Sequence, residues 1–161
     1  MPPDGNGGFV VSSIYMILTD CYALCVLAIL KQMKYEGIKV EIKIINKAFS
    51  VCKLENMEEV NFEDEYCFIG KTDEELSLVC DTQFVPENTV AREDGWRAFR
   101  IEGILDFSLI GILAEISGIL AKAEIGIFAI STYNTDYILV QEDNFRKALE
   151  ALEMEGYEIK E

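Results

Sequence analysis

Two segments of this chain repeat one pattern: a β-branched and aromatic run, a polar break and a second apolar run. They are Phe68–Val79, FIGKTDEELSLV, and Phe128–Val140, FAISTYNTDYILV. Each places a threonine four residues after its phenylalanine, Thr72 in the first segment and Thr132 in the second. Apolar runs on either side of a short polar break are typical of β-hairpins. Two hairpins of one style, 60 residues apart, indicate an internal duplication.

The second half of the chain alternates between the strand period and the helix period. Trp96–Glu102 alternates imperfectly, as a strand does. Phe107–Ala123 carries apolar residues at helical spacing and follows Asp106, a favoured N-cap. Ile125–Ser131 and Thr135–Gln141 are predicted to pair as the second hairpin.

A second helix and a last strand complete this half. Asp143 is predicted to cap the helix and Gly156 to end it, while Gly126 allows the chain to leave the preceding helix. Tyr157–Ile159 is predicted as the last short strand. The order predicts an α+β fold with the ferredoxin-like βαββαβ arrangement, a four-stranded antiparallel sheet with both helices on one face.

The first half has the same character but is shorter. Asp81–Gly95 contains Pro86 and Asn88 and is predicted to be a linker, with a domain boundary near Arg92. The elements predicted before it are the strands Val40–Ile45 and Phe49–Leu54 and a hairpin of Tyr66–Thr72 with Glu75–Cys80. The expected organisation is an apolar N-terminal extension at 1–32, an abbreviated first unit at 33–91 and a complete second unit at 92–161.

The composition excludes several classes of protein. The 161 residues include 29 acidic and 14 basic ones, a net charge of −15. Nucleic-acid binding needs a basic patch, so no nucleic acid is expected as a partner. The chain has no histidine, the commonest general base and metal ligand, and no CxxC pair, so neither a metal nor a cofactor is expected. The cysteines lack paired spacing and are expected to be reduced, which favours the cytoplasm: Cys21, Cys25, Cys52, Cys67 and Cys80.

The N-terminal run Phe9–Leu30 is long and apolar enough to cross a bilayer as a helix, and only Asp20 interrupts it with charge. It does not resemble a simple signal peptide, because the preceding MPPDGNGG has no positive charge and no clean cleavage site follows. A membrane is expected as a partner only if this run is a spanning helix. The alternative is that Met33 is the natural start, since the sequence after it resembles an ordinary soluble start.

Several motifs of the second half resemble those of the ACT domain, a ligand-sensing member of the ferredoxin-like group. They are Leu105–Ser108, Gly111–Leu113 and Ile130–Tyr137, ISTYNTDY. Thr72–Cys80 resembles the first, abbreviated unit of proteins that carry two ACT domains. The chain is most similar to bacterial proteins related to the CASTOR arginine sensors and, more distantly, to the regulatory part of aspartate kinases. The resemblance covers about residues 37–160.

The resemblance implies a site for an amino acid or a similar small ligand. A helix start offers N–H groups and the positive end of a dipole to a carboxylate, and Asp136 can accept from an ammonium. Tyr133 offers an aromatic face. The predicted ligand-binding residues are Leu105, Asp106, Phe107, Ser108, Ile110, Thr132, Tyr133, Asn134 and Asp136. Six of them have a plainer alternative: Asp106 and Ser108 as capping residues, Thr132, Asn134 and Asp136 as ordinary hairpin residues, and Tyr133 as an exposed turn aromatic.

The predicted function is therefore a regulatory or sensor protein that binds an amino acid, without catalysis, in the cytoplasm and as a homodimer. An enzyme is disfavoured because the sequence lacks histidine, a phosphate-binding glycine loop and a nucleophile elbow. The alternative is a protein-interaction module that pairs through open sheet edges and holds no ligand.

A chain that begins at Met33 is expected to be soluble and folded, because all of the recognised sequence lies after this residue. Circular dichroism and gel filtration of the shortened chain test this. Aggregation of the shortened chain under conditions in which the full chain is stable would place the N-terminal segment in the core.

Overall fold

The computed structural model describes residues 40–102 and 111–161, and within these ranges the chain forms seven strands and two α-helices. In chain order they are β1 Glu41–Leu54, β2 Phe68–Lys71, β3 Leu76–Asp81, a 3₁₀ turn Thr82–Phe84, β4 Thr89–Glu102, α1 Ile112–Lys122, β5 Phe128–Ser131, β6 Asp136–Gln141, α2 Glu142–Met154 and β7 Glu158–Lys160. The order from β4 onward is the predicted strand, helix, strand, strand, helix, strand.

The apolar run Phe9–Leu30 and the rest of the extension at 1–32 lie outside the described residues. Among the residues that are described, no helix is both long and apolar enough to cross a membrane.

The strands form one sheet in the order β2-β3-β1-β4-β6-β5, with a hairpin at each edge and the two long strands in the centre. Its centre is the antiparallel pair of β1 and β4, each 14 residues long, which runs from Glu41 opposite Glu102 to Leu54 opposite Thr89. β7 joins the sheet beside the N-terminal end of β1. The two long strands therefore hold both halves of the molecule together.

The two hairpins have the same register and the same turn. Phe68 lies opposite Val79 in the first, and Phe128 lies opposite Leu139 in the second. In each, the N–H of the threonine donates to the carbonyl three residues later at 2.9 Å, Thr72 in one turn and Thr132 in the other. The repeat seen in the sequence is thus a repeat of structure.

Both helices pack against the sheet. α1 and α2 are amphipathic, and their apolar residues share a single buried cluster with residues of three strands, β1, β4 and β6. The cluster comprises Ile42, Phe99, Ile101, Ile138 and Val140 from the sheet, Ile112, Ile116, Ile119 and Leu120 from α1, Ile125, and Phe145, Ala148 and Leu152 from α2.

A second cluster, which contains aromatic side chains, shows how the sheet is curved. β2 and β6 are separated by three strands, which in a flat sheet would put them roughly 19 Å apart. The rings of Phe68 on β2 and Tyr137 on β6 nevertheless have centroids only 4.9 Å apart. Tyr66 lies with them and meets Phe49 edge to face at 5.7 Å. The sheet is therefore strongly curled, as expected from the register shifts along the central pair.

Two predicted boundaries in the first half are wrong. Val40–Ile45 and Phe49–Leu54 are not separate strands, because β1 continues through a bulge between Ile45 and Ala48. Asp81–Gly95 is not a linker, since β4 begins at Thr89 and pairs with β1 along its whole length. Tertiary pairing here overrides a local composition of turn formers. The boundary expected near Arg92 falls inside β4.

The sheet also differs from the predicted four-stranded one. β7 does not pair with β4: β1 lies between them, and β7 runs parallel to β1 with Ile42 opposite Ile159. An N-terminal strand thus enters the sheet of the second half, which the order of elements in that half could not reveal.

Two helix starts differ from the predictions. The helix expected over Phe107–Ala123 begins at Ile112, and Gly111 before it has a left-handed φ of 95°. Asp106, the expected cap, lies outside the described residues. The second helix begins at Glu142 rather than after Asp143, and Gln141 precedes it without a side-chain capping bond. Asp143 instead lies in the first turn, where its charge suits the helix dipole.

The two helices end in the same way but with different residues. After α2, Gly156 is left-handed (φ 94°), its N–H donates to Glu153, and the next N–H donates to Leu152. After α1, Glu124 takes this place with φ 59° and the same pair of backbone bonds, to Ala121 and Leu120. These are Schellman ends, which normally use glycine. Gly156 ends its helix as predicted, whereas the exit assigned to Gly126 occurs at Glu124.

Replacing Glu124 with glycine is expected to stabilise the protein by about 0.5–1 kcal/mol, because glycine adopts the left-handed conformation without the Cβ penalty. Gly156→Ala should destabilise it by about 1 kcal/mol for the converse reason. Urea denaturation measures both. Glu124→Ala is the control: it removes the carboxylate but keeps an L side chain, so a gain as large as that of glycine would show that charge, not conformation, matters.

Candidate functional site

The predicted ligand-binding hairpin has its tip at Thr132–Thr135. The Thr132 hydroxyl donates to the Thr135 carbonyl at 2.7 Å and accepts from the Thr135 N–H at 3.3 Å. The Thr132 side chain therefore maintains the turn. Tyr133, at the tip, is 88% exposed, so its ring is accessible to a ligand or partner.

This tip lies beside the end of β4. The Thr135 hydroxyl donates to the carbonyl of Ile101 at 2.5 Å, one residue before the strand ends at Glu102. Residues 103–110 follow Glu102 in the sequence. The predicted ligand-binding residues among them, Leu105, Asp106, Phe107, Ser108 and Ile110, lie outside the described residues. Their contact with Tyr133, Asn134 or Asp136 therefore stays a prediction.

Asp136 is the first residue of β6 and lies opposite Ser131 in the hairpin. Its side chain is half-buried and forms no hydrogen bond or ion pair within the part of the chain that the structure describes. An unpaired carboxylate at a sheet end is a suitable acceptor for an ammonium or guanidinium group.

A charged network that sequence reasoning missed lies at the same end of the sheet. Strand register places cations in one row and carboxylates in the next, so that like charges face each other across the strands. Diagonal pairs across the strands relieve this repulsion, Lys43 with Glu102 at 3.7 Å and Lys160 with Glu41 at 2.7 Å, and Arg100 pairs with Glu102 along β4 itself at 2.5 Å. The cations are Lys43, Arg100 and Lys160, and the carboxylates are Glu41, Glu102 and Glu158. The signal for this network in the sequence is the alternation of charged and apolar residues along these strands.

Glu102 is the centre of this network. Hydrogen bonding from Arg100 lowers the pKa of the Glu102 carboxyl, burial opposes this, and the charge of Lys43 at 3.7 Å adds to the lowering. The same bond raises the pKa of the Arg100 guanidinium, which also interacts with Tyr137. Three cations and three carboxylates neutralise one another in this network, and within residues 40–102 and 111–161 the nearby Asp136 carboxylate is not part of it.

The thiols of the described residues are unsuited to nucleophilic chemistry. Cys52 and Cys80 are buried, and burial, with the neighbouring Cys52 thiol, raises the pKa of Cys80 to about 12. Burial also raises the pKa of the half-buried Cys67. These groups remain protonated at neutral pH, and the reactive form of cysteine is the thiolate.

Comparison with known families identifies the segment that contains the second hairpin. Residues 91–154 match the family model of the ACT domain. The human cytosolic arginine sensor for mTORC1 subunit 1 is 46% identical over 59 residues, which are 36% of this chain and 18% of that protein. The chain thus spans less than a fifth of the length of the curated relatives that it matches. The resemblance to the ACT family is confirmed.

Solved structures share the fold over a longer range. A protein from Agrobacterium tumefaciens superposes with a TM-score of 0.70 at 27% identity, covering 76% of this chain and 92% of that one. The regulatory subunit of aspartate kinase from Thermus thermophilus superposes with a TM-score of 0.54 at 9% identity, covering 73% and 97%. At such low identity the second likeness concerns the fold alone.

Glu102→Gln is expected to lower the free energy of unfolding at pH 7 by about 0.5–1 kcal/mol, the usual range for a networked surface ion pair. The Glu102 pKa is lower in the folded chain than its ordinary 4.5. Its contribution is therefore present above that value and lost as the pH falls through the folded pKa. Denaturation from pH 7 to pH 3 should show the two proteins converging below about pH 4.

Glu153→Gln provides the control, since Glu153 is an exposed carboxylate without an ion pair among the described residues. An equal pH-dependent loss in that variant would assign the effect to overall charge and not to the network.

Proposed function

We propose that this chain is a regulatory protein that binds an amino acid and catalyses no reaction. The observation that carries the proposal is the Asp136 carboxylate, which lies beside the hairpin tip in the ACT-matching segment and has no partner among the described residues. The human relative is named as an arginine sensor, so arginine is the first ligand to test. The buried cysteines stay protonated and are therefore poor nucleophiles, which agrees with a role in binding and not in catalysis.

In the proposed complex, each end of the amino acid meets a group suited to it. The ammonium, or a cationic side chain, pairs with Asp136, while the carboxylate accepts from backbone N–H groups in the segment from Leu105 to Ile110. Tyr133 covers the ligand with its ring, and Asn134 supplies an amide. The dipole of α1, which begins at Ile112, favours negative charge at this end.

We further propose that the curled sheet contains two ACT units with the helices on one face. In support, both hairpins share one register, and Asp81 and Gln141 hold equivalent positions with nearly identical dihedral angles. The first unit is abbreviated: a 3₁₀ turn follows β3 where α2 follows β6, and turns at 55–67 occupy the place of a helix.

A second candidate function is an interaction module that needs no ligand. The observation that favours it is the outer position of β2 and β5 in the sheet, since each pairs with a single strand in the part of the chain that the structure describes. Such edges can pair with another chain, and we propose a homodimer formed in this way. The cytoplasm is the proposed location, in agreement with the free thiols and with the cytosolic relative.

A thermal-shift screen against the twenty amino acids separates the two functions. A sensor gains stability with its ligand by mass action, whereas an interaction module does not. A rise in the melting temperature that depends on the concentration of one amino acid, with arginine the leading candidate, is expected. A flat response to all twenty would reject the sensor.

Asp136→Ala is expected to weaken binding of that amino acid at least about tenfold, because loss of one charged partner removes more than 1.4 kcal/mol. Titration calorimetry measures the affinity, and circular dichroism checks that the fold is kept. Asp143→Ala, which removes an exposed carboxylate on α2, should bind normally. Asp106→Asn separates a capping role from a charge contact. Parental affinity in Asp136→Ala would place the pocket elsewhere.

A further inference from the structure

Aromatic rings join the two hairpins across the sheet. The ring of Tyr137, on β6, has its centroid 4.9 Å from that of Phe68, on β2, and 6.3 Å from that of Tyr66. Tyr66 in turn meets Phe49 of β1 edge to face at 5.7 Å. All four side chains belong to one apolar cluster, whose buried members come from both halves of the chain. Tyr137 therefore links the second hairpin directly to the first.

The strand β2 has few other contacts that hold it in the sheet. It has four residues, and in the part of the chain that the structure describes it pairs with β3 alone. Phe68 is half-buried, whereas the other three residues, Ile69, Gly70 and Lys71, are exposed. A short edge strand that buries little surface is expected to open locally while the rest of the fold stays closed.

The neighbouring strand β3 does not depend on β2 in the same way. It pairs with β1 from Ser77 to Asp81, and four of its six residues are buried. β2 can therefore leave the sheet without removing β3 from it. The ring of Phe68 then loses its contact with Tyr137, so the position of Tyr137 and the position of β2 favour each other.

Tyr137 directly follows Asp136, the carboxylate to which the proposed function assigns the ligand ammonium. It lies opposite Arg100 of β4 and interacts with that guanidinium. A ligand bound at Asp136 restricts the start of β6, and this restriction includes Tyr137. Because one ordered residue lowers the entropic cost of ordering its contacts, a ligand that orders Tyr137 also favours the docked position of Phe68.

We propose that β2 is a ligand-responsive strand. An amino acid bound at Asp136 holds β2 in the sheet through the ring of Tyr137, and loss of the amino acid allows β2 to open. The inference rests on the proposed function of the chain as an amino-acid-binding protein. It deepens that function, because it places the response to the ligand in the other half of the chain.

Hydrogen exchange of the full chain without ligand tests the aromatic link. Tyr137→Leu is expected to lower the protection of the β2 amides that bond to β3 by about tenfold, the effect of one lost aromatic contact. The amides of α2 should keep their parental protection. Phe68→Leu should act in the same way, and the double variant should lose little more than either single one, since both changes remove one contact.

Two control variants isolate the ring contact. Tyr137→Phe keeps the ring and should retain the protection of β2. Phe62→Leu removes a ring that is 65% exposed and has no ring contact among the described residues, so it should leave β2 unchanged. Parental protection of β2 in both Tyr137→Leu and Phe68→Leu would overturn the link, as would an equal loss of protection in β2 and α2.

The effect of the ligand is measured in the parent and in Phe68→Leu, with L-arginine as the first amino acid added. At saturation the protection of β2 in the parent should rise by at least about fivefold, the lower end of the usual coupling between two sites. Phe68→Leu leaves the proposed site in the second half intact and should bind with parental affinity by calorimetry. Its β2 protection should nevertheless not rise.

The outcomes separate this inference from the proposed function. Binding of an amino acid without a change in β2 exchange would overturn the responsive strand and preserve the sensor. A rise in Phe68→Leu as large as that in the parent would overturn the role of the ring contact. Failure of all twenty amino acids to bind the parent chain would overturn both the sensor and the inference.

Discussion

The antiparallel pairing of β1 with β4 supports every other element of the described structure. β3 and β7 attach to the free side of β1, and β6 attaches to that of β4. Because both strands are 14 residues long and bulged, the sheet curls instead of extending flat. The helices pack against the cluster that contains Phe99 and Ile138, and the aromatic side chains around Tyr66 belong to a separate cluster. Weakening the central pair would separate both cores at once.

The same pairing imposes a cost that the charged network offsets. Register places Lys43 opposite Arg100 and Glu41 opposite Glu102, arrangements that repel when isolated. The ion pairs of Lys43 and Arg100 with Glu102, and of Lys160 with Glu41, neutralise these two repulsive rows. The network lies at the end of β4 that is paired with the start of β6. Among the described residues, the nearby Asp136 carboxylate takes no part in it.

The two hairpins share one register, but the side chains beside them differ. Ser50 hydrogen-bonds with Thr82 at 2.9 Å in the first half. In the second half, Arg97 reaches Glu142 at 3.4 Å and covers the ring of Phe145. Thr82 begins a 3₁₀ turn, and Glu142 begins a full helix. The turn bonds of Thr72 and Thr132 are the same in both hairpins because they depend only on the backbone and one side chain.

Local signals in the sequence determined the hairpins, the helices and the order of elements after Trp96. Alternation and helical spacing arise because each strand or helix buries one face, so they can be read from neighbouring residues alone. The sequence places Asp136 at the start of the second hairpin strand for the same reason, since turn and strand residues are distinguished locally, and its contact with a ligand stays a prediction. The predictions that Asp143 caps the second helix and that the chain leaves the first helix at Gly126 are wrong. Gln141 and Glu124 hold these positions, and local patterns do not distinguish between such close neighbours.

Only the tertiary structure decided the long-range pairings. The segment before Trp96 has the composition of a linker, yet it is a strand because β1 offers it a partner more than thirty residues away in sequence. The insertion of β1 between β4 and β7 and the curl that brings Phe68 to Tyr137 depend in the same way on distant segments. The sequence by itself determined what each segment buries; the partner against which it is buried is a property of the whole chain, and no local pattern encodes it.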